Sequence, residues 1–261
     1  MTIQDVLAVV SGSLVGFSLG LVGGGGSILA TPLLLYVVGV RDPHVAIGTS
    51  ALAVSANAFA NLLHHARAGT VKWPCAATFA AAGVIGAFAG STLGKLVEGR
   101  RLLILFALAI AAVAVSMLRN RSSDGDPDVR MDLKMAPRLV GGGLGAGFVS
   151  GFFGIGGGFL IVPALMIGSG MPILNAVGSS LFSVGAFGLT TAANYAASGL
   201  VDWRIAALFI VGGVAGGWGG MRLALTLARE RRALTRIFVA VLFAVSAYML
   251  YRSAGPLVGL G

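Results

Sequence analysis

Apolar runs of helix length recur along the whole chain with almost no charge inside them, and no other feature restricts its folding as much. In a bilayer every backbone N–H and C=O has to be satisfied within the protein, so such runs become helices. About 20 residues cross a hydrocarbon core of roughly 30 Å. Five runs come first, at 6–22, 27–40, 45–64, 73–97 and 102–118, and five more follow at 139–153, 159–167, 174–197, 203–227 and 233–251. Between them lies the only long polar stretch, RNRSSDGDPDVRMDLKMAPR, whose mixed charges, Gly125 and Pro127 mark a solvated connection. The expected class is an all-α polytopic integral membrane protein. Its parts are an N-terminal transmembrane repeat at 1–118, a cytoplasmic linker at 119–138 and a C-terminal transmembrane repeat at 139–261.

Composition excludes the main alternatives. With 57% hydrophobic and 10% charged residues, against roughly 25% charged in a soluble domain, the chain lacks the polar coat of a water-soluble enzyme. The net charge of +9 does not point to nucleic acid, because the basic residues sit at the ends of apolar runs, as Arg100, Arg101, Arg119 and Arg121 do. The acidic residues Asp5, Asp42, Glu98, Asp124, Asp126, Asp128, Asp132, Asp202 and Glu230 fall near a terminus or in a predicted loop, which leaves no carboxylate at mid-membrane. Cys75 is the sole cysteine, so neither an internal disulfide nor a multi-cysteine metal site is expected. The first residues, MTIQDVLAVV, lack the basic start of a secretory signal and read as the beginning of the first membrane helix.

The two halves repeat each other. Aligning Pro32 with Pro163 brings GFSLGLVGGGGSILATPLL over GFVSGFFGIGGGFLIVPAL, and one residue of slip later Gly48, Ser50, Gly69, Val71 and Trp73 match Gly178, Ser180, Gly199, Val201 and Trp203. Internal duplication is a common plan of secondary transporters. If all five runs of each half cross, one side collects Arg67, Lys72, Arg119, Arg121, Arg130, Lys134, Arg138, Arg222, Arg229, Arg231, Arg232 and Arg236. The other collects Arg41, Lys95, Arg100, Arg101, Arg204 and Arg252, half as many. The positive-inside rule then favours an odd number of crossings per half, hence inverted repeats with a cytoplasmic linker and both termini outside.

Three features carry candidate function. Gly23 to Gly26 and Gly156 to Gly158 each interrupt an apolar region and are followed by a short run with Pro32 or Pro163. A 14-residue helix reaches about 21 Å, so these are expected to be short broken or re-entrant helices, and paired interruptions in two halves point to a transporter's binding site. Glycine runs also leave backbone N–H groups open to an anion at the positive end of the following helix. The glycines Gly86, Gly90 and Gly94, and Gly212, Gly216 and Gly220, have the four-residue spacing of a helix-packing seam instead. The third run of each half carries a polar stripe, Thr49, Ser50, Asn57, Asn61 and His64 in one and Ser179, Ser180, Ser183, Thr190, Thr191 and Asn194 in the other. Such groups either glue helices together or donate to an anion's oxygens; donors without carboxylates suit an anion rather than a cation. His64 and His65 lie beside Arg67 and are interfacial residues or a proton relay, since histidine titrates near neutrality. They are weak metal ligands without acidic or cysteine company, and no HExxH or GxSxG motif is present, so no metal, cofactor or enzymatic activity is expected.

The glycine block with its downstream proline, its repeat, and the sequence NYAASGLVDW at 194–203 resemble the sulfite exporter TauE/SafE family of membrane permeases. The likeness covers essentially the whole chain. It implies movement of small sulfur-containing anions, such as sulfite, sulfoacetate or other organosulfonates, across the cytoplasmic (inner) membrane, in the outward direction. The expected function is a secondary anion transporter working by alternating access. Its substrate-binding residues would be Gly25, Gly26, Ser27, Thr49, Ser50, Asn61, His64, Gly156, Gly157, Gly158, Ser179, Ser180 and Asn194. The expected partners are the anion, the lipid bilayer, a coupling proton or sodium ion, and a second copy in a homo-oligomer. The alternatives are a passive anion channel and a non-transporting membrane subunit.

Overall fold

A computed structural model describes residues 2–22, 27–119, 126, 131–132, 135–154, 158–226 and 243–251. The remaining positions, among them Gly25, Gly26, Gly156, Gly157, most of the linker and the first part of the tenth run, lie outside the described residues. Among the described residues the regular structure is helical: α1 (Ile3–Val22), α2 (Ala30–Tyr36), α3 (Pro43–Arg67), α4 (Trp73–Leu96), α5 (Gly99–Arg119), α6 (Ala136–Phe153), α7 (Gly158–Ser169), α8 (Ile173–Ala196) and α9 (Trp203–Thr226). Residues 243–251 are also helical. Four of these, α1, α3, α4 and α8, are long and apolar enough to cross a membrane.

Local chemistry sets the ends. The Asp42 side chain accepts a 2.7 Å hydrogen bond from the His44 N–H, Pro43 opens the helix, and His64, His65 and Arg67 occupy the last turn of α3, where positive charge complements the helix dipole. Gly154 closes α6 at φ +67°, a left-handed conformation that glycine adopts without steric penalty. With 7 residues α2 extends only about 10 Å, and α7 with 12 about 18 Å. Neither crosses a 30 Å core alone, as the glycine interruptions predict.

Packing joins the halves. Val9, Ser13 and Phe17 of α1 lie against Gly212, Gly216 and Gly220 of α9, and Phe79, Gly83 and Ala87 of α4 lie against Gly143, Gly147 and Gly151 of α6. Numbers rise together in both pairs, so each pair is parallel, and the first long helix of one half packs on the fourth of the other. The contacts are backbone to backbone, which only missing side chains permit. The expected seams at Gly86, Gly90 and Gly94 and at Gly212, Gly216 and Gly220 are therefore packing seams. Between these pairs run α3 and α8. Ala51 and Ser55 meet Gly188, Phe59 meets Gly185, and His65 and Thr70 meet Gly178, so these two helices are antiparallel. The buried share of α3, 72%, is the largest among the four long apolar helices.

One end of the bundle gathers the starts of α1, α3 and α9, where Arg204 Nη2 meets Asp5 Oδ2 at 2.8 Å, together with Arg41, Lys95, Arg100 and Arg101. The other gathers the starts of α4 and α8 and the end of α3, with Arg67 and Lys72. Among the described basic residues, Arg41, Lys95, Arg100, Arg101 and Arg204 thus lie at one end and Arg67 and Lys72 at the other.

Candidate functional site

The antiparallel α3/α8 pair distributes the candidate polar residues between its two ends. Toward the Arg41 end, Ser50 is fully buried; its Oγ donates to the Ile47 carbonyl at 2.9 Å and lies 2.9 Å from Thr31 Oγ1 of α2 and 3.4 Å from the Gly154 carbonyl. Ser50 thus joins α2, α3 and the glycine turn that closes α6. Its repeat counterpart Ser180, also fully buried, donates to Val177 of its own helix at 2.8 Å. Along α3, Ser50 and Asn61 are separated by about 16 Å of helix rise, and Ser180 and Asn194 by about 21 Å. The described candidates therefore form two groups, one toward each end, rather than a single cluster.

Thr49 and Ser179 have a definite structural task. Thr49 Oγ1 accepts from the Asp202 N–H at 2.9 Å, just before α9, and Ser179 Oγ accepts from the Lys72 N–H at 2.9 Å, just before α4. Each hydroxyl satisfies an orphan donor at the start of a helix in the opposite half, so the two bonds are counterparts at opposite ends. Replacing Thr49 by valine or Ser179 by alanine is expected to lower stability by about 1 kcal/mol each. The losses should add because the sites are remote; thermal unfolding in detergent checks this.

Asn194 is likewise committed. Its Nδ2 donates to Ser91 Oγ at 2.7 Å and Thr92 Oγ1 at 3.0 Å, while Lys95 Nζ donates to its Oδ1 at 2.8 Å and its carbonyl at 3.1 Å. The counterpart position in the first half, His64, lines a cavity of about 320 Å³ together with Ala60, Asn61, Val214, Ala215 and Trp218. The Arg222 guanidinium stacks 3.6 Å over the Trp218 ring at its edge. A second cavity of about 490 Å³ lies at the other end, lined by Leu35, Tyr36, Gly39, Val40, Arg41, Pro43, Arg100 and Leu103. His65 is turned elsewhere, with Nδ1 3.0 Å from Thr70 Oγ1 in the α3–α4 turn.

Ser27 is fully buried and opens the short turn that leads into α2, and Gly158, also buried, is the first residue of α7. Both adjoin the glycine blocks whose central residues lie outside the described set.

The structure adds residues that the sequence did not rank as site residues. Asn57 is fully buried and neither Nδ2 nor Oδ1 has a hydrogen-bond partner; Ser183 Oγ and Thr191 Oγ1 are similarly buried and unpaired. An unsatisfied buried polar group costs about 1–3 kcal/mol, so such groups call for a physical reason. Trp218 lines the first cavity, and Arg222 stacks on its ring; the sequence signal for Trp218 is a lone aromatic within the GGWGG stretch of a glycine seam. Among the described residues no group of three or more His, Cys, Asp or Glu side chains could hold a metal ion.

Comparison with known proteins gives these features a context. The family model described as sulfite exporter TauE/SafE matches residues 8–249. A "Probable membrane transporter protein" of Xylella fastidiosa (strain 9a5c) is 54% identical over 99% of this chain and 100% of its own length. "Probable membrane transporter protein YunE" of Bacillus subtilis (strain 168) is 27% identical over 94% of this chain and 97% of its own. "Probable membrane transporter protein MJ0441" of Methanocaldococcus jannaschii is 31% identical over 71% of this chain and 68% of its own. No solved structure matches. With the family model spanning both halves and full-length relatives above half identity, the chain belongs to the sulfite exporter TauE/SafE family of membrane transporters.

Proposed function

We propose that the protein is a secondary transporter that exports small sulfur-containing anions, sulfite or organosulfonates such as sulfoacetate, across the cytoplasmic membrane by alternating access, with no enzymatic activity. The observation that carries this reading is the pair of cavities near opposite ends of the α3/α8 pair, one lined by His64 and by Trp218, on which Arg222 stacks, the other by Arg41 and Arg100. Positive charge at both ends raises the local concentration of an anion. The described acidic side chains Asp5, Asp42, Glu98 and Asp202 lie at helix starts or turns, and Asp126 and Asp132 lie in the linker, so none opposes an anion midway.

The halves are read as inverted repeats. The antiparallel run of α3 and α8, the reciprocal pairs α1/α9 and α4/α6, and the matched bonds at Thr49 and Ser179 support this. A two-fold relation of this kind gives two exchangeable states in which one end opens as the other closes. The proposed ligand set is the backbone N–H groups around Gly25, Gly26, Ser27, Gly156, Gly157 and Gly158, supplemented by Ser50 and Ser180 within the bundle and by Asn61 and His64 at one cavity. Thr49, Ser179 and Asn194 act by holding the halves in register, since their hydrogen bonds reach helices of the opposite half. A proton, taken up at His64 or carried by the substrate, or a sodium ion supplies the coupling. The surrounding partner is the lipid bilayer, in which the protein can assemble as a homo-oligomer.

The test is flux of [35S]sulfite and of sulfoacetate through purified protein in proteoliposomes. Saturable transport of either supports the reading, and transport that rises linearly with concentration favours a channel. No flux, with a tightly co-purifying protein, favours a non-transporting subunit. His64→Gln is expected to lower saturable flux while the protein stays folded; unchanged flux removes His64 from the site.

A further inference from the structure

Asn57 stands 14 residues from the start of α3 and ten from its end, about 21 Å and 15 Å along the axis, so it lies near the middle of the bundle. It is fully buried, and both polar atoms of its amide lack partners. Its side chain presses on Gly213 of α9, where an added Cβ would collide with the amide. One turn further along, Asn61 stands against Gly217, and another turn brings His64 and the cavity it lines with Trp218. Three polar side chains thus follow one line from that cavity toward the centre, facing an α9 surface stripped of side chains.

The repeat supplies a control. The counterpart of Asn57 in the second half is Phe187, which stands against Gly83 as Asn57 stands against Gly213. Phe187 is fully buried and stacks on Phe79 at 6.2 Å between centroids. The same place in the same packing arrangement is therefore filled by an apolar ring, so the fold does not require an amide. A buried amide with both ends open, where its counterpart is phenylalanine, is an unsatisfied group awaiting a partner.

Resting on the transport reading above, we infer that Asn57 is a substrate contact at the midpoint of the path, reached from the His64 cavity by way of Asn61. The Nδ2 group donates to an oxygen of a sulfite or sulfonate group. The Oδ1 atom accepts from a proton on the anion or from an accompanying water. A neutral amide suits a midpoint: it replaces part of the ion's hydration but holds the ion weakly enough to release it.

Asn57→Leu separates this role from structural glue, with thermal unfolding, flux and anion-induced stabilisation measured on the same preparation. The expected result is an unfolding midpoint equal to or above that of the wild type, flux of sulfite and sulfoacetate reduced at least about tenfold, and no stabilisation by either anion. Normal flux with an unchanged KM overturns the inference, and so does a lowered midpoint with anion stabilisation retained. If Asn57→Leu does not fold, Asn57→Ser decides. This variant keeps one donor and is expected to raise KM while kcat stays near the wild-type value; an unchanged KM overturns the inference. Wild-type protein that moves neither anion overturns the transport reading and this inference with it, whereas active wild type with a normal Asn57 variant overturns the inference alone.

Discussion

Replacing Gly26 and Gly157 together by valine is expected to reduce anion flux below about 1% of the wild-type rate in a protein that still folds. A desolvated oxyanion needs donors in place of water, and no basic side chain among the described residues lies midway along α3 or α8. Backbone N–H groups at interrupted helices meet the need only where no side chain blocks approach. A charge-assisted hydrogen bond contributes roughly 1.5–3 kcal/mol, so losing one or two from each block exceeds a hundredfold in affinity. The readout is initial flux in proteoliposomes, beside thermal unfolding to verify folding. Surviving flux in a well-folded double variant removes the glycine blocks from the site.

Gly147→Val is expected to lower stability by about 3 kcal/mol or more, at the upper end of overpacking costs. A Cβ at Gly147 would collide with the backbone of Gly83 on α4, and backbone cannot swing aside as a side chain can. The same substitution at Gly145, two residues away and on the opposite side of α6, meets nothing within 4 Å and should cost well under 1 kcal/mol. Thermal unfolding and the monodisperse fraction in detergent distinguish the two. Equal behaviour of the variants contradicts the backbone seam between α4 and α6.

Much of the fold is legible in the sequence because its determinants are local. Apolar runs locate the helices to within a few residues, Asp42 with Pro43 marks the start of α3, and the spacing of Gly212, Gly216 and Gly220 marks a seam. The partner of each seam is not legible. Any small-residue face fits any other, so that α1 joins α9 and α4 joins α6 is decided by the tertiary arrangement.

The candidate site divides along similar lines. Asn61 and His64 share a cavity, as their place on one face of α3 suggests. Thr49, Ser179 and Asn194 carry the same chemistry in the sequence, yet each has a protein partner from a distant segment. A hydroxyl or amide reads alike whether it faces a ligand or a backbone N–H two helices away. Asn57 sits in the polar stripe, but its distinction emerges only when burial and the missing partners are known.

The most direct test of the central claim is exchange across the membrane. Proteoliposomes loaded with unlabelled sulfite are placed in trace [35S]sulfite, and uptake is compared with that of vesicles loaded with chloride. A carrier whose single site faces one side at a time returns faster when occupied, so internal sulfite should accelerate uptake several-fold, with saturation at high external concentration. Uptake that is unsaturable and indifferent to internal sulfite would contradict alternating access and identify an open pore.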